Sequence, residues 1–207
     1  MKIIGDTHGR TIWKQFLPDI FIGDYFDSWD ISADQQISNF LDICKYSRDF
    51  DKIMLVGNHD IQYLIQEKYS GYQPIYSFQI REVLLQNMDI LKMSYTFDNY
   101  HLCSHAGVSK IWCKNYDIDP YQPLENLVFE INEMFKYKQP AFCFEGIDPS
   151  GDDVSQSPVW IRPRSLQKCK IDDCIHIVGH TGVENIEYEN NVYFIDCLST
   201  VNNILII

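Results

Sequence analysis

Lys52-Ile53-Met54-Leu55-Val56-Gly57-Asn58-His59-Asp60 is the stretch that decides the fold. Ile53 to Val56 is an apolar run too short for a helix and stopped by a glycine, which reads as a buried strand. A polar triplet follows, and then a helix over 60–67. The same form occurs twice upstream. Lys2 to Gly5 ends in Gly5-Asp6-Thr7-His8-Gly9, and Asp19 to Gly23 ends in Gly23-Asp24-Tyr25-Phe26-Asp27. A short helix over 9–17 and a longer one over 33–48, with Ile37, Phe40, Leu41 and Cys44 at helical spacing, separate the three runs. The result is β-α-β-α-β with polar residues just past each strand's carboxyl end. Ligands of open α/β sheets sit on that edge, so three motifs distant in sequence should converge on one rim.

Further along, the pattern predicts a helix over 78–88 and strands over 90–97 and 100–104, joined at Asp98-Asn99. An amphipathic helix over 123–136 follows, with Leu124, Leu127, Val128, Ile131 and Phe135 on one side. Residues 138–158 hold Pro140, Gly146, Pro149, Gly151 and Pro158 and read as a long loop, of the kind that often carries function. From 173 onward short apolar runs alternate with turns: Cys174 to Val178, Ile186 to Tyr188, Val192 to Asp196 and Ile204 to Ile207. With a hairpin turn at Glu189-Asn190-Asn191, they predict a second, largely antiparallel sheet.

The 207 residues suit one domain over 1–207, and 45% apolar content is that of a globular chain. The formal net charge of −12 argues against long nucleic acid, whose phosphates call for Lys and Arg. It leaves small phosphate esters open, because bound metals reverse the local sign. None of the seven cysteines forms a Cys-x-x-Cys pair, and their odd number does not suit a disulfide framework. They read as reduced, mostly buried thiols, with Cys169 and Cys174 as a weak redox pair. No signal peptide and no run of ~18 apolar residues is visible, so a cytoplasmic protein without membrane association is expected.

Aspartate, histidine and asparagine after apolar runs suit two adjacent divalent cations. Asp6 and His8 are two apart, so at a strand end both point toward one ion. Asp24 can give one carboxylate oxygen to each of two metals, and Asn58 offers a neutral amide oxygen. His105, in Ser104-His105-Ala106-Gly107, and His180, in Gly179-His180-Thr181, supply imidazoles from later strand ends. Carboxylate with imidazole favours Mn, Fe or Zn over Mg or Ca. His59 neighbours Asn58, and in an extended stretch its ring points away from that ligand's metal. There it can protonate a leaving oxygen or bind the phosphoryl group. Asp27 can hold its other nitrogen. Asp60 competes for that role but as an adjacent residue better caps the following helix. His101 and His176, each four residues before a proposed ligand, read as structural.

Six segments in this order resemble the calcineurin-like metallophosphoesterases: 5–9, 23–27, 57–60, 104–107, 160–162 and 179–181. Within them the chain is similar to the phosphoprotein-phosphatase branch, especially its compact bacterial and phage members. The resemblance implies an α/β fold of two sheets sandwiched together and flanked by helices. It implies Asp6, His8 and Asp24 on a first metal, Asp24, Asn58, His105 and His180 on a second, and a His59–Asp27 acid dyad. Nuclease-like relatives carry Gly-His-x-His, whereas here Gly182 follows Thr181 and offers no second imidazole. Trp160-Ile161-Arg162 resembles the segment whose arginine grips phosphate, a task suited to a guanidinium fork. Arg164 is the alternative arginine for that task.

The chain also departs from the pattern. The branch's usual Gly-Asp-x-Val-Asp-Arg-Gly ends here in Asp27-Ser28-Trp29, without the arginine. Arg10 either compensates or faces solvent, and Trp29 is either a stacking face or core. The expected activity is dimetal-dependent hydrolysis of phosphate monoesters by a metal-activated water. Two divalent transition-metal ions are expected, manganese first, with iron or zinc also suiting the ligands. The substrate is a phosphorylated protein or a small phosphate ester. Hydrolysis of dinucleoside polyphosphates or other nucleotides is the first alternative. A metal-binding scaffold that recognises phosphate without turnover is the second.

Overall fold

The computed structural model describes residues 1–146, 148 and 150–207. Pro149, one of the expected loop residues, lies outside them. The first sheet has the order β10-β1-β2-β3-β4, with β1 (Lys2–Ile4), β2 (Ile20–Phe21), β3 (Ile53–Leu55) and β4 (Leu91–Lys92) parallel. β10 (Leu205–Ile206) runs antiparallel to β1. The second sheet has the order β5-β6-β7-β9-β8, built from β5 (Ser94–Thr96), β6 (His101–Ser104), β7 (Ile175–Val178), β8 (Glu187–Glu189) and β9 (Val192–Phe194). Helices α1 (Trp13–Phe16), α2 (Ala33–Phe50), α3 (Asn58–Ile65) and α4 (Ser77–Gln86) fall among the strands of the first sheet. α5 (Lys110–Asn115), α6 (Leu124–Tyr137) and α7 (Pro163–Cys169) lie between β6 and β7.

Period-two alternation builds the layers. Ile3, Ile20 and Leu55 meet Cys103 and Ile177 of the second sheet in one buried cluster. Their neighbours Ile4, Phe21 and Met54 join Trp13, Phe40 and Ile43 of the helices in another. The outer face of the second sheet packs Val178, Val192 and Phe194 against Leu166 and Cys169 of α7. This is the expected α/β sandwich of two sheets flanked by helices.

Four local expectations change. The run 90–97 is two strands in different sheets, because the chain crosses between layers at buried Met93. The second sheet is mixed: β6, β7 and β9 run parallel to one another, and only the edge strands β5 and β8 pair antiparallel. β10, expected in that sheet, completes the first one. The buried stripe of α2 is also rotated from the apolar one. Gln36 and Asn39 are inside and Leu41 is exposed, because the two amides hold backbone and Trp13 Nε1.

All seven cysteines are free thiols, six of them buried. No helix among the described residues is long and apolar enough to cross a membrane. His101 stacks on Phe97 and bonds Asp98, as a structural histidine does. His176 is fully buried, with Nε2 on the Ile171 carbonyl (3.2 Å). Burial pushes its imidazole down to about 4. Above pH ~6.5 it is neutral both folded and unfolded. Between ~6.5 and 4 only the unfolded chain takes up the proton, so stability falls as pH drops through that window. Urea unfolding at stepped pH should show an acid-side loss of up to about 3 kcal/mol from this group. His176→Leu should lack it.

Candidate active site

The parallel strands of both sheets end on one rim. Asp6, Asp24 and Asn58 follow β1, β2 and β3, while His105, His180 and Asp196 follow β6, β7 and β9. Two glycines allow the close approach. A Cβ on Gly57 would overlap the Asp24 carboxylate, and one on Gly179 would overlap that of Asp6. His8, Asp24, Asp27 and His180 have positive φ, at 43°, 52°, 66° and 64°. Non-glycine residues rarely adopt this conformation, and it concentrates at functional sites. Hydrogen bonds hold it here: His8 N donates to Asp24 O (2.8 Å) and Asp24 N to Asp60 Oδ2 (2.8 Å). Asp6 and His8 therefore converge through a turn past β1, not along a strand as expected.

Ligating atoms of Asp6, His8 and Asp24 lie within 4.8 Å of one another. Asp24 Oδ2 stands 3.4 Å from His105 Nε2 and 3.9 Å from His8 Nε2. Asn58 Oδ1 is 2.8 Å from both His105 Nε2 and His180 Nδ1. Each of the three imidazoles has its outer nitrogen on a backbone carbonyl. His8 Nδ1 meets Phe26 O (2.6 Å), His105 Nδ1 meets Ile22 O (3.0 Å) and His180 Nε2 meets Trp160 O (3.2 Å). A carbonyl only accepts, so the proton sits on that outer nitrogen and the inner one presents a lone pair.

Electrostatics agree with this donor set. Burial and then the carboxylates of Asp196 and Asp24 push the Asp6 carboxyl well up. Burial also raises Asp196, and it raises Asp60 to about 7 with Asp24 as the next cause. Burial would raise Asp24 too, but His105, His59 and His8 outweigh it and hold that carboxyl far below its ordinary range. Burial, His105 and Arg162 drive the His180 imidazole well down, which keeps it neutral. Crowded carboxylates with tautomer-fixed imidazoles, that of His180 kept neutral, form a lone-pair-rich pocket that fits divalent transition metals.

A model of the calcineurin-like phosphoesterases matches residues 2–195. The chain belongs to that family. As a member it is a phosphoester hydrolase. Among solved structures, the cold-active protein-tyrosine phosphatase of the psychrophile Shewanella sp. superposes with a TM-score of 0.63 at 14% identity. The match covers 98% of this chain and 72% of that one. A mutant cold-active protein tyrosine phosphatase gives 0.60 at 16%, with the same coverage. A protein serine/threonine phosphatase from Saccharomyces cerevisiae, similar to human phosphatase PP5, gives 0.54 at 15%, covering 94% of this chain and 65% of that one. At these identities the likeness is one of fold. No curated protein matches the sequence.

Around the metal-fitting cluster, the phosphoesterase opens a cavity of about 400 Å³ whose lining includes His59, Tyr69, Trp160, Arg162 and Asp196. Asn58 and His59 begin α3, so their side chains diverge around a helical turn and not along the extended stretch expected. His59 Nδ1 meets Asp27 Oδ2 at 3.0 Å, and its backbone N donates to Asp24 Oδ1 (2.9 Å). Asp60 accepts from the backbone of Asp24, Tyr25 and Gly57 and does not compete for the ring. Arg162 is aimed inward by bonds to Ser150 O (2.9 Å) and Thr181 Oγ1 (3.3 Å). Arg164 is exposed beside Asp152, away from the cavity.

Arg10 and Trp29 line an adjoining chamber of about 270 Å³ with Ser28 and Asp30, reached past His8 and His59. Trp29 is 87% exposed, so it is not core. Ser28, where the branch usually has arginine, donates from Oγ to Asp30 Oδ1 (2.7 Å). Sequence reading missed Asp196 and the residues around Asp27. Asp196 had a signal: it ends the run Val192 to Ile195 as Asp24 ends the run Ile20 to Gly23.

Proposed function

We propose that the phosphoesterase is a monoester-specific phosphatase of the phosphoprotein-phosphatase branch, working as one domain over 1–207. Asp6, His8 and Asp24 would hold one divalent cation, and Asp24, Asn58, His105 and His180 a second. Manganese suits these donors, with iron or zinc as substitutes. The observation that carries this reading is the fixing of three imidazoles by backbone carbonyls, with every inner lone pair turned to the same few ångströms. Cations bound there supply Lewis acidity and ionise a water.

The chain's own residues do the rest. Arg162 binds the phosphoryl oxygens by charge-assisted hydrogen bonds. As the ester P–O bond breaks, His59 gives its proton to the leaving oxygen, and Asp27 stabilises and orients the ring. The substrate is a phosphorylated protein or a small phosphate ester. Elemental analysis of the active protein, with Mn-dependent turnover of an aryl monoester and its diester, tests the reading. About two metals per chain and monoester-only turnover support it. Diester turnover or a metal-free active protein would overturn it.

Two variants probe the roles. Arg162→Lys keeps the charge but loses the fork, at a cost of about 1.5–3 kcal/mol in transition-state binding, roughly ten- to hundredfold in kcat/KM. Burial alone would lower the His59 imidazole, but Asp24 and Asp27 outweigh it and lift it to about 9. Its acid form is therefore complete at neutral pH and is lost as pH rises. Bound cations draw that limb lower. Turnover of an alkyl monoester should fall on the alkaline side in the wild type, and His59→Asn should lack the limb.

A second reading has its own support. Exposed Trp29 beside Arg10, in a chamber continuous with the metal-fitting cluster, favours hydrolysis of dinucleoside polyphosphates or other nucleotides. A panel of phosphopeptides, nucleotides and dinucleoside polyphosphates separates the two by kcat/KM.

A further inference from the structure

Asp27 accepts more hydrogen bonds than holding one imidazole requires. Its buried Oδ2 accepts from His59 Nδ1 (3.0 Å) and from Gln62 Nε2. Oδ1 accepts from the Tyr63 hydroxyl and from Gln73 Nε2 (3.1 Å). An ionised carboxylate offers about four lone-pair sites, so the set is filled. The donors are also tied to one another. Gln73 N donates to Tyr63 Oη (3.0 Å), and Tyr69 N donates to Gln62 Oε1 (2.9 Å). The backbone carrying Gln73 lies directly on the dyad. A Cβ on Gly71, at φ 81°, would stand 3.0 Å from Asp27 Cβ and 3.2 Å from His59 Cε1.

A carboxylate's terminal torsion is soft and roughly two-fold. One partner on one oxygen leaves it free to swing and carry the imidazole with it. Donors on both oxygens lock the plane. We propose that Tyr63 and Gln73 are positioning residues: by clamping Asp27 Oδ1 they keep His59 Nδ1 on Oδ2 and its Nε2 aimed at the departing oxygen. This rests on the reading of His59 as the proton donor. Neither residue lines the cavity beside the metal-fitting cluster. Loosening the clamp should cost most where the departing oxygen is most basic and least where it leaves without help.

The test uses the metal-loaded enzyme, as wild type, Tyr63→Phe, Gln73→Met and the double variant. Turnover is measured on p-nitrophenyl phosphate and on an alkyl monoester, phosphoserine. The double variant should lose about ten- to hundredfold in kcat on phosphoserine, part of the 10²–10⁴ typical of a general acid. On p-nitrophenyl phosphate it should lose no more than about threefold by the same reasoning. In the metal-free protein, the proton NMR signal of His59 Nδ1–H should be sharp and slow to exchange in the wild type and broadened in both single variants. Equal losses on the two substrates, or an unchanged Nδ1–H signal, would overturn the inference. His59→Asn separates the layers. If it discriminates between the substrates and the double variant does not, only the positioning role fails. If it does not discriminate, the acid assignment fails and takes the positioning role with it.

Discussion

Asp24→Asn should abolish most turnover, a loss of roughly 10³-fold or more, equivalent to about 4 kcal/mol of transition-state stabilisation. The side chain serves two directions at once. Oδ2 faces the inner nitrogens of His8 and His105, while Oδ1 accepts the His59 backbone N–H. An amide in its place must turn an NH₂ either toward that N–H or toward the imidazole lone pairs. The first orientation sets donor against donor in a buried position, and the second removes the bridging oxygen. Stability should separate this from simple unfolding. Asp24 is one of the carboxylates that raise Asp6, Asp60 and Asp196, but the imidazoles of His105, His59 and His8 favour its ionised form more strongly, so neutralising it costs the metal-free chain some stability. The dialysed variant should melt somewhat below the dialysed wild type yet still unfold cooperatively, and its melting temperature should fail to rise on adding Mn. Near-normal turnover with both cations bound would count against the bridging role.

Asp60→Ala should be the most damaging change to folding that spares every proposed ligand. The fully buried carboxylate accepts from Asp24 N (2.8 Å), Tyr25 N (2.9 Å) and Gly57 N (2.9 Å). These donors lie at the ends of β2 and β3, where the left-handed Asp24 and the start of α3 must be held together. Three buried N–H groups without acceptors cost about 1–3 kcal/mol each, of order 3–9 kcal/mol together. Urea unfolding should register that loss, and metal affinity should fall with it, because Asp24 is no longer anchored. Asp60→Asn keeps one acceptor oxygen and should fall between. A loss below about 1 kcal/mol in Asp60→Ala would mean that water replaces the carboxylate there.

Much of the site could be read from the sequence because it depends on strand ends. Ile53 to Val56 stopped by Gly57, and its two counterparts, located Asp6, Asp24 and Asn58, and the later strand ends located His105 and His180. What escaped depends on contacts that leave no periodic trace. Gln62, Tyr63 and Gln73 surround Asp27 because α3 and the segment after it fold back on the dyad. An amide or phenol in a helix says nothing of where it points. The break at Met93 escaped because an apolar residue inside a strand-like run carries no turn signal. The mixed second sheet escaped because short apolar runs do not encode direction: α5, α6 and α7 between β6 and β7 make the parallel crossover, and their span reads as helix and loop. Ser28 was legible as a departure, but its partner Asp30 and the exposure of Trp29 needed coordinates.

The rim draws half of its side chains from each sheet, and this ties metal loading to tertiary assembly. On the proposed ligand assignment neither layer would hold the second cation alone, since Asn58 arrives from one and His105 and His180 from the other. Loading would then staple the layers together across their shared apolar seam, and chelation should loosen that seam before it melts either layer. Hydrogen exchange at β6 and β7 would then act as a gauge of cation occupancy, with protection rising as the ions enter and fading as they are withdrawn.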